Sequence, residues 1–137
     1  PLSIPKGGDS SVPGNDGWAG GPDGTGFERE RQVVVDTILS HKINNVVFLS
    51  GDVHWVQANA YDPNQDGVID FHEYIAGPLS APSGRFASTQ TALHPIELFY
   101  EAGYHNFGLA RATKYEFHVS MVDETGKERV SHRLMAQ

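Results

Sequence analysis

Apolar positions along the chain follow three different rules. From residue 27 they recur at helical spacing. In Phe27-Glu28-Arg29-Glu30-Arg31-Gln32-Val33-Val34-Val35-Asp36-Thr37-Ile38-Leu39-Ser40-His41-Lys42, the side chains of Val34, Val35, Ile38 and Leu39 share one face, and Glu28, Asp36 and Lys42 take the other. Acids in the first turn and His41-Lys42 in the last suit the helix dipole, so the pattern predicts a helix over 27–42. Asn44-Asn45 ends it. Four consecutive apolar residues, Val46-Val47-Phe48-Leu49, then predict a short strand buried on both faces. The third rule is alternation. Tyr115, Phe117, Val119 and Met121 alternate with Glu116, His118 and Ser120, which predicts a half-buried strand. Asp123-Glu124-Thr125-Gly126 predicts a turn, and 128–134 the second arm of a hairpin. Residues 107–112 read as one more strand, 55–61 and 68–76 as a strand pair around an acidic loop, and 77–84 as a loop. Residues 86–94 carry no decisive pattern.

A helix followed by a short apolar strand is the αβ half of a layered unit, so the expected fold class is α/β: helix, buried strand, then mostly antiparallel strands. Residues 1–26 hold eight of the fifteen glycines and four of the eight prolines, a composition that predicts a long loop. Trp18 stands out there as a loop anchor or a pocket wall. The expected organisation is therefore a Gly/Pro-rich loop over 1–26 and a domain over 27–137.

Composition narrows the function classes. With 137 residues there is room for one sizeable core. A net charge of −7 argues against nucleic acid or an anionic membrane as partner. The absence of cysteine removes disulfides, Cys-zinc sites and a thiol nucleophile. No apolar run is long enough to span a membrane. The start at Pro1, without a charged and apolar leader, suggests a processed product or a fragment whose targeting signal lies upstream.

Acids concentrate between Asp52 and Glu73, and the segment Asp62-Pro63-Asn64-Gln65-Asp66-Gly67-Val68-Ile69-Asp70-Phe71-His72-Glu73 has the spacing of a twelve-residue calcium loop. Side-chain oxygens of Asp62, Asn64 and Asp66 fall at positions 1, 3 and 5, where a curling backbone brings them onto one ion. Gly67 takes the sharp turn at position 6, and the Val68 carbonyl, Asp70 and Glu73 fill positions 7, 9 and 12. The alternative is a solvated acidic hairpin turn. If the following residues form a strand, Glu73 swings away from the shell. A single such loop without long flanking helices acts as a structural clamp, not a switch.

Ser50-Gly51-Asp52-Val53-His54 follows the apolar strand and so lies where open α/β sheets place their ligands. In an extended segment Asp52 and His54 share one face, and a carboxylate with an imidazole suits a divalent or transition metal. Alternatively, Asp52 caps a turn and His54 is a satisfied core histidine.

Three segments, in order, bear on that choice: Gly14-Asn15-Asp16-Gly17-Trp18-Ala19-Gly20, Glu28-Arg29-Glu30-Arg31, and Asn45-Val46-Val47-Phe48-Leu49-Ser50-Gly51-Asp52-Val53-His54-Trp55. Together they resemble the PhoD-like alkaline phosphatases, a metallophosphoesterase family. Gly77-Pro78-Leu79-Ser80 and Asn106-Phe107-Gly108 match its usual ending, so the likeness covers most of 12–134, most sharply at Leu49-Ser50-Gly51-Asp52-Val53-His54. The resemblance implies the C-terminal part of a layered metallophosphoesterase-like α/β sandwich. It implies a metal centre, often iron with calcium, that activates water against a phosphate ester. It implies Asp52 and His54 as catalytic and metal-binding residues, with Asp16 and Trp18 at the substrate pocket. Arg85 is a further candidate for phosphate contact, with an exposed surface arginine as its alternative. His94 and His105 have no motif support. Most metal ligands of such enzymes lie upstream, so the partner expected is the N-terminal part of the same protein or a second copy. A periplasmic or secreted location follows from the same resemblance. A competing function is a non-catalytic, calcium-stabilised extracellular binding module.

Overall fold

The expected helix forms as α1 (Glu28–Ser40), with Glu28 and Glu30 in its first turn, in a computed structural model that describes residues 1–4, 17–19, 27–84 and 89–137. Val35 and Ile38 are buried as the spacing requires, and Arg31 is buried with them. Seven strands follow among the described residues: β1 (Val46–Ser50), β2 (Val56–Tyr61), β3 (Phe71–Ile75), β4 (Pro95–Glu101), β5 (Asn106–Ala112), β6 (Glu116–Asp123) and β7 (Glu128–Met135). They form a mixed sheet of order β1-β3-β2-β4 and an antiparallel sheet of order β5-β6-β7. The chain is thus mostly β, with one helix among the described residues. That helix is too short and too polar to cross a membrane.

The mixed sheet is covered on both faces. On one face Val35 and Ile38 of α1 pack with Tyr61, Phe71, Leu93 and Leu2, and with Val46 and Phe48 at the margin. On the other, Val56, Ala58 and Tyr74 meet Val119 and Met121 of the antiparallel sheet. This double cover explains β2, whose six residues are all buried although Gln57 and Asn59 are polar. Leu2, Ser3 and Ile4 are buried too, so these described residues of the Gly/Pro-rich stretch belong to the core.

One expectation needs correction, and one strand lies where no element is read. Val46-Val47-Phe48-Leu49 forms a strand, but not one buried on both faces. β1 is the outer strand of its sheet, none of its residues is fully buried, and Leu49 is 60% exposed, because no described strand pairs with its outer edge. β4 forms where the apolar pattern shows no element. It opens on Pro95, and its Ile96 and Leu98 are half exposed on the opposite edge of the sheet, where a proline at the strand start is tolerated.

Register fixes which loops are neighbours. β1 and β3 run parallel, from Val46↔Phe71 to Ser50↔Ile75. β2 runs against both β3 and β4, with Tyr61 beside Phe71 and Pro95 at one end and Val56 beside Glu101 at the other. The segments after β1, β3 and β4 therefore share one end of the sheet. The acidic loop between β2 and β3 lies at the opposite end, roughly 15 Å away for strands of this length.

Candidate functional site

Asp52 and His54 lie on a turn at the shared C-terminal ends of β1 and β3, and the segment is not extended as the sequence suggested. Asp52 and His54 have φ of 76° and 65°, conformations that cost a non-glycine residue about 1–3 kcal/mol and persist where the surroundings enforce them. The alternation survives this change. Val53 and Trp55 plug a core cluster with Ile4 and Ile75, while Asp52 is exposed and His54 half-buried.

What enforces the turn is a strap formed by residues 77–84. It leaves β3 where the Ala76 amide donates to the Ser50 carbonyl at 3.1 Å, and it returns where the Gly84 amide donates to the His54 carbonyl at 2.7 Å. A side chain at Gly84 would lie 2.7 Å from the Val53 oxygen, so only glycine allows this approach. The outer side of the strap is held by the segment joining β4 to β5 and by Asn106, the first residue of β5. Asn106 accepts from the Gly77 amide and donates to the Gly77 carbonyl, each at 2.8 Å, and the Asn106 amide reaches the Pro78 carbonyl at 2.9 Å. His105 Nε2 lies 3.2 Å from the Ala81 carbonyl, and the Gly103 amide donates to Ser83 Oγ at 2.7 Å.

Beneath the turn runs a file of buried polar groups. Trp55 Nε1 donates to Gln57, Gln57 donates to Asn59 and Glu97, and Tyr61 donates to Glu73 at 2.7 Å. The other Glu73 oxygen accepts from Ser50 Oγ at 2.8 Å and the Leu2 amide at 2.9 Å. Arg31 donates to the Leu2 carbonyl at 2.6 Å, tying the helix to the same segment. Burial holds the Arg31 guanidinium below its ordinary range, against the opposing pull of Glu28. Burial first, and the Glu73 carboxylate second, push the Tyr61 phenol far up.

Glu73 therefore does not complete the acidic loop as the spacing suggested. It lies on β3 rather than on an exiting helix, is fully buried, and commits both oxygens to core donors. The rest of the loop is organised by its own backbone. Asp62 accepts from the Asp66 and Gly67 amides, Asn64 from Asp66, and Asp66 from Val68, at 2.9–3.2 Å. Gly67 takes φ 86° at the turn position. Asp70 Oδ2 is enclosed without a hydrogen-bond partner. Burial, followed by the Asp66 and Asp62 charges, raises its pKa.

The remaining candidates separate. Trp18 is 37% exposed and, with Phe48, Leu49, Ser50 and Glu73, lines a hollow of about 230 Å³ at the C-terminal half of β1. Asp16 and Arg85 lie outside the described residues. His105 flanks the strap, whereas His94 precedes Pro95 at the far end of the sheet. Sequence reasoning missed the contacts of Asn106 with Gly77 and of Gly84 with His54. Asn106-Phe107-Gly108 carries a family likeness in the sequence, but nothing in the spacing connects it with Gly77. Also missed was a ring cluster between the sheets, where Tyr74 OH lies 2.6 Å from His132 Nδ1 and the His72 ring stacks on Tyr74. Burial first, then His132, lower the His72 pKa to about 4.

Among the described residues no three His, Cys, Asp or Glu side chains are gathered as a metal cluster. Asp52 and His54 are two donors of suitable chemistry, and two do not complete a shell. No curated protein and no solved structure matches the chain at a significant level. A family model, that of the PhoD-like phosphatases, matches residues 7–127, which include the turn, the strap, the acidic loop and Asn106. With that match spanning most of its length, the chain belongs to the PhoD-like phosphatase family.

Proposed function

We propose that this chain forms one wall of the active site of a metal-dependent phosphoester hydrolase. Asp52 and His54 act there as ligands of the metal centre or of the phosphoryl group in transfer, and Trp18, Asp16 and Arg85 border the substrate. Family membership supports phosphatase chemistry. The observation that carries the assignment to these residues is the turn at the joint ends of β1 and β3, which keeps Asp52 and His54 out of the core while Val53 and Trp55 anchor it. Hydrolysis forms a bond from phosphorus to a water oxygen and breaks the bond to the leaving oxygen, which departs as an alcohol by taking up the proton the water gives up. Asp52 and His54 would help hold a metal, iron with calcium in this reading, which would polarise the phosphoryl oxygen and lower the pKa of that water. The other donors come from the rest of the same protein or from a second copy, and the chain by itself is inactive.

The acidic loop is, in the same reading, a structural calcium clamp formed by Asp62, Asn64, Asp66, the Val68 carbonyl and Asp70. Its support is the order of oxygen donors and the enclosed, partnerless Asp70 Oδ2, which a cation would satisfy.

His54→Ala in the intact protein tests the catalytic assignment. Hydrolysis of bis(p-nitrophenyl) phosphate and of p-nitrophenyl phosphate should disappear while calcium affinity stays unchanged. A variant as active as the parent would remove Asp52 and His54 from the site. Metal content of the intact protein after dialysis should show calcium together with a transition metal.

A further inference from the structure

Asn106 is 3% exposed and stands at the first position of β5, at the end of the antiparallel sheet nearest the strap. Its side-chain amide accepts from the Gly77 amide and donates to the Gly77 carbonyl, each at 2.8 Å, with a longer 3.4 Å bond from Nδ2 to the Tyr104 carbonyl. Its own backbone amide is bound to the Pro78 carbonyl. This three-point grip fixes the first two residues of the strap. Besides the bonds from His105 and Gly103, the strap and the end of β3 that leads into it meet the turn at two places. One is the close approach of the Ala76 oxygen to Gly51, where an added Cβ would lie at 3.0 Å. The other is the 2.7 Å bond from the Gly84 amide to the His54 carbonyl. Both places lie on the turn that carries Asp52 and His54. That turn holds two non-glycine residues at positive φ, so it needs external restraint to keep its shape.

We propose that Asn106 is a positioning residue for the Asp52–His54 turn, acting through the strap of residues 77–84 and touching neither substrate nor metal itself. No other side chain of similar size carries out the same task. Asp would keep the acceptor and lose the donor, and Leu would lose both. Gln would carry the same groups one methylene too far. The role rests on the phosphoester hydrolase reading only for its kinetic consequence; the mechanical link stands on geometry alone.

The test uses the intact protein with Asn106→Asp and Asn106→Ala, read in two ways. The first is the ring resonances of His54, assigned by their loss in His54→Gln. The second is kcat and KM for bis(p-nitrophenyl) phosphate. The His54 resonances should shift or broaden in both variants, more in Asn106→Ala. The kcat should fall roughly 10- to 100-fold with KM within about twofold, because misplacement of a reacting group by a fraction of an ångström acts on the transition state more than on binding. Unmoved His54 resonances in both variants would overturn the proposal, whatever happens to activity. Moved resonances with kcat unchanged would overturn it equally, because the turn would then shift without consequence. If the parent protein hydrolyses no phosphate ester, the functional reading fails, and the His54 resonances alone decide the link to Asn106. Should Asn106→Ala not fold, Asn106→Asp, which keeps the bond from the Gly77 amide, decides between these outcomes.

Discussion

Tyr61 donates its phenolic hydrogen to Glu73 at 2.7 Å across adjacent strands, and both side chains are fully buried. The three donors of Glu73, the Tyr61 and Ser50 hydroxyls and the Leu2 amide, are all neutral. A carboxyl group in that position depends on every donor, since a lost bond leaves an oxygen in a medium that cannot solvate it.

Tyr61→Phe should therefore lower stability by about 1–3 kcal/mol, the cost of one unsatisfied buried acceptor, with little change in packing volume. Urea unfolding measures it. A loss within error of zero would mean that water reaches Glu73 or that Ser50 and Leu2 suffice.

Gly84→Ala tests the strap from its other end. The new methyl would meet the Val53 oxygen at 2.7 Å, His54 Cβ at 3.1 Å and the Trp55 ring at 3.2 Å. Backbone oxygen and a core-anchored indole yield little, so the strap must lift. The expected outcome is a destabilisation of about 1–3 kcal/mol together with weakened hydrolysis in the intact protein. Full activity and an unchanged melting curve would show that the strap does not hold the turn.

Acid should weaken the contact between the sheets. His72 lies among His132, Tyr74, Asp70, Glu116 and Arg133, and burial followed by His132 brings its pKa from the ordinary 6.5 down to about 4. The unfolded chain thus takes up a proton near pH 6.5 that the folded chain refuses. The contribution of His72 is complete above pH 6.5 and is lost as pH falls through about 4. Solvent at the rim limits the effect to on the order of 1 kcal/mol. His72→Gln should flatten the dependence of Tm on pH across that window. An equally steep curve in the variant would assign the acid sensitivity to other groups.

Asp70 runs the other way. Its raised pKa means that the folded state favours the protonated carboxyl, so its contribution is present at low pH and lost as pH rises through the folded pKa. Asp70→Asn should then raise Tm in metal-free buffer at neutral pH and remove most of the Tm gain on adding calcium. A variant that gains as much from calcium as the parent would take Asp70 out of the clamp.

The sequence was most legible where one element answers to one neighbour. The spacing of Val35 and Ile38 placed α1, and the alternation of Phe117, Val119 and Met121 placed β6, although Tyr115 is exposed ahead of the strand and Ser120 is buried with its hydroxyl on Glu128. It was least legible where two layers close on one strand. Gln57 and Asn59 look solvent-exposed in the pattern, yet their partners Trp55, Tyr61 and Glu97 satisfy them in the interior. The position of β1 at an edge was hidden for a related reason. Its apolar run describes what should cover a strand, and among the described residues only one side of it is paired. For the site, local spacing singled out Asp52 and His54 as candidates but could not point to Asn106, which contacts a residue 29 positions away.

The parallel pairing of β1 with β3 also bears on the order in which the chain folds. β2 and β3 are joined directly by the acidic loop, so their ladder closes locally. β1 can pair with β3 only after the chain has gone out along β2 and turned back. Early contacts are cheapest where the closing loop is short. The hairpin is then the template on which β1, and the turn that follows it, are assembled. Whatever stiffens residues 62–70 should raise the folding rate constant and leave the unfolding rate nearly unchanged, as stopped-flow measurements with and without calcium would register. In kinetic terms the acidic loop is a starter for the sheet rather than a lock on it.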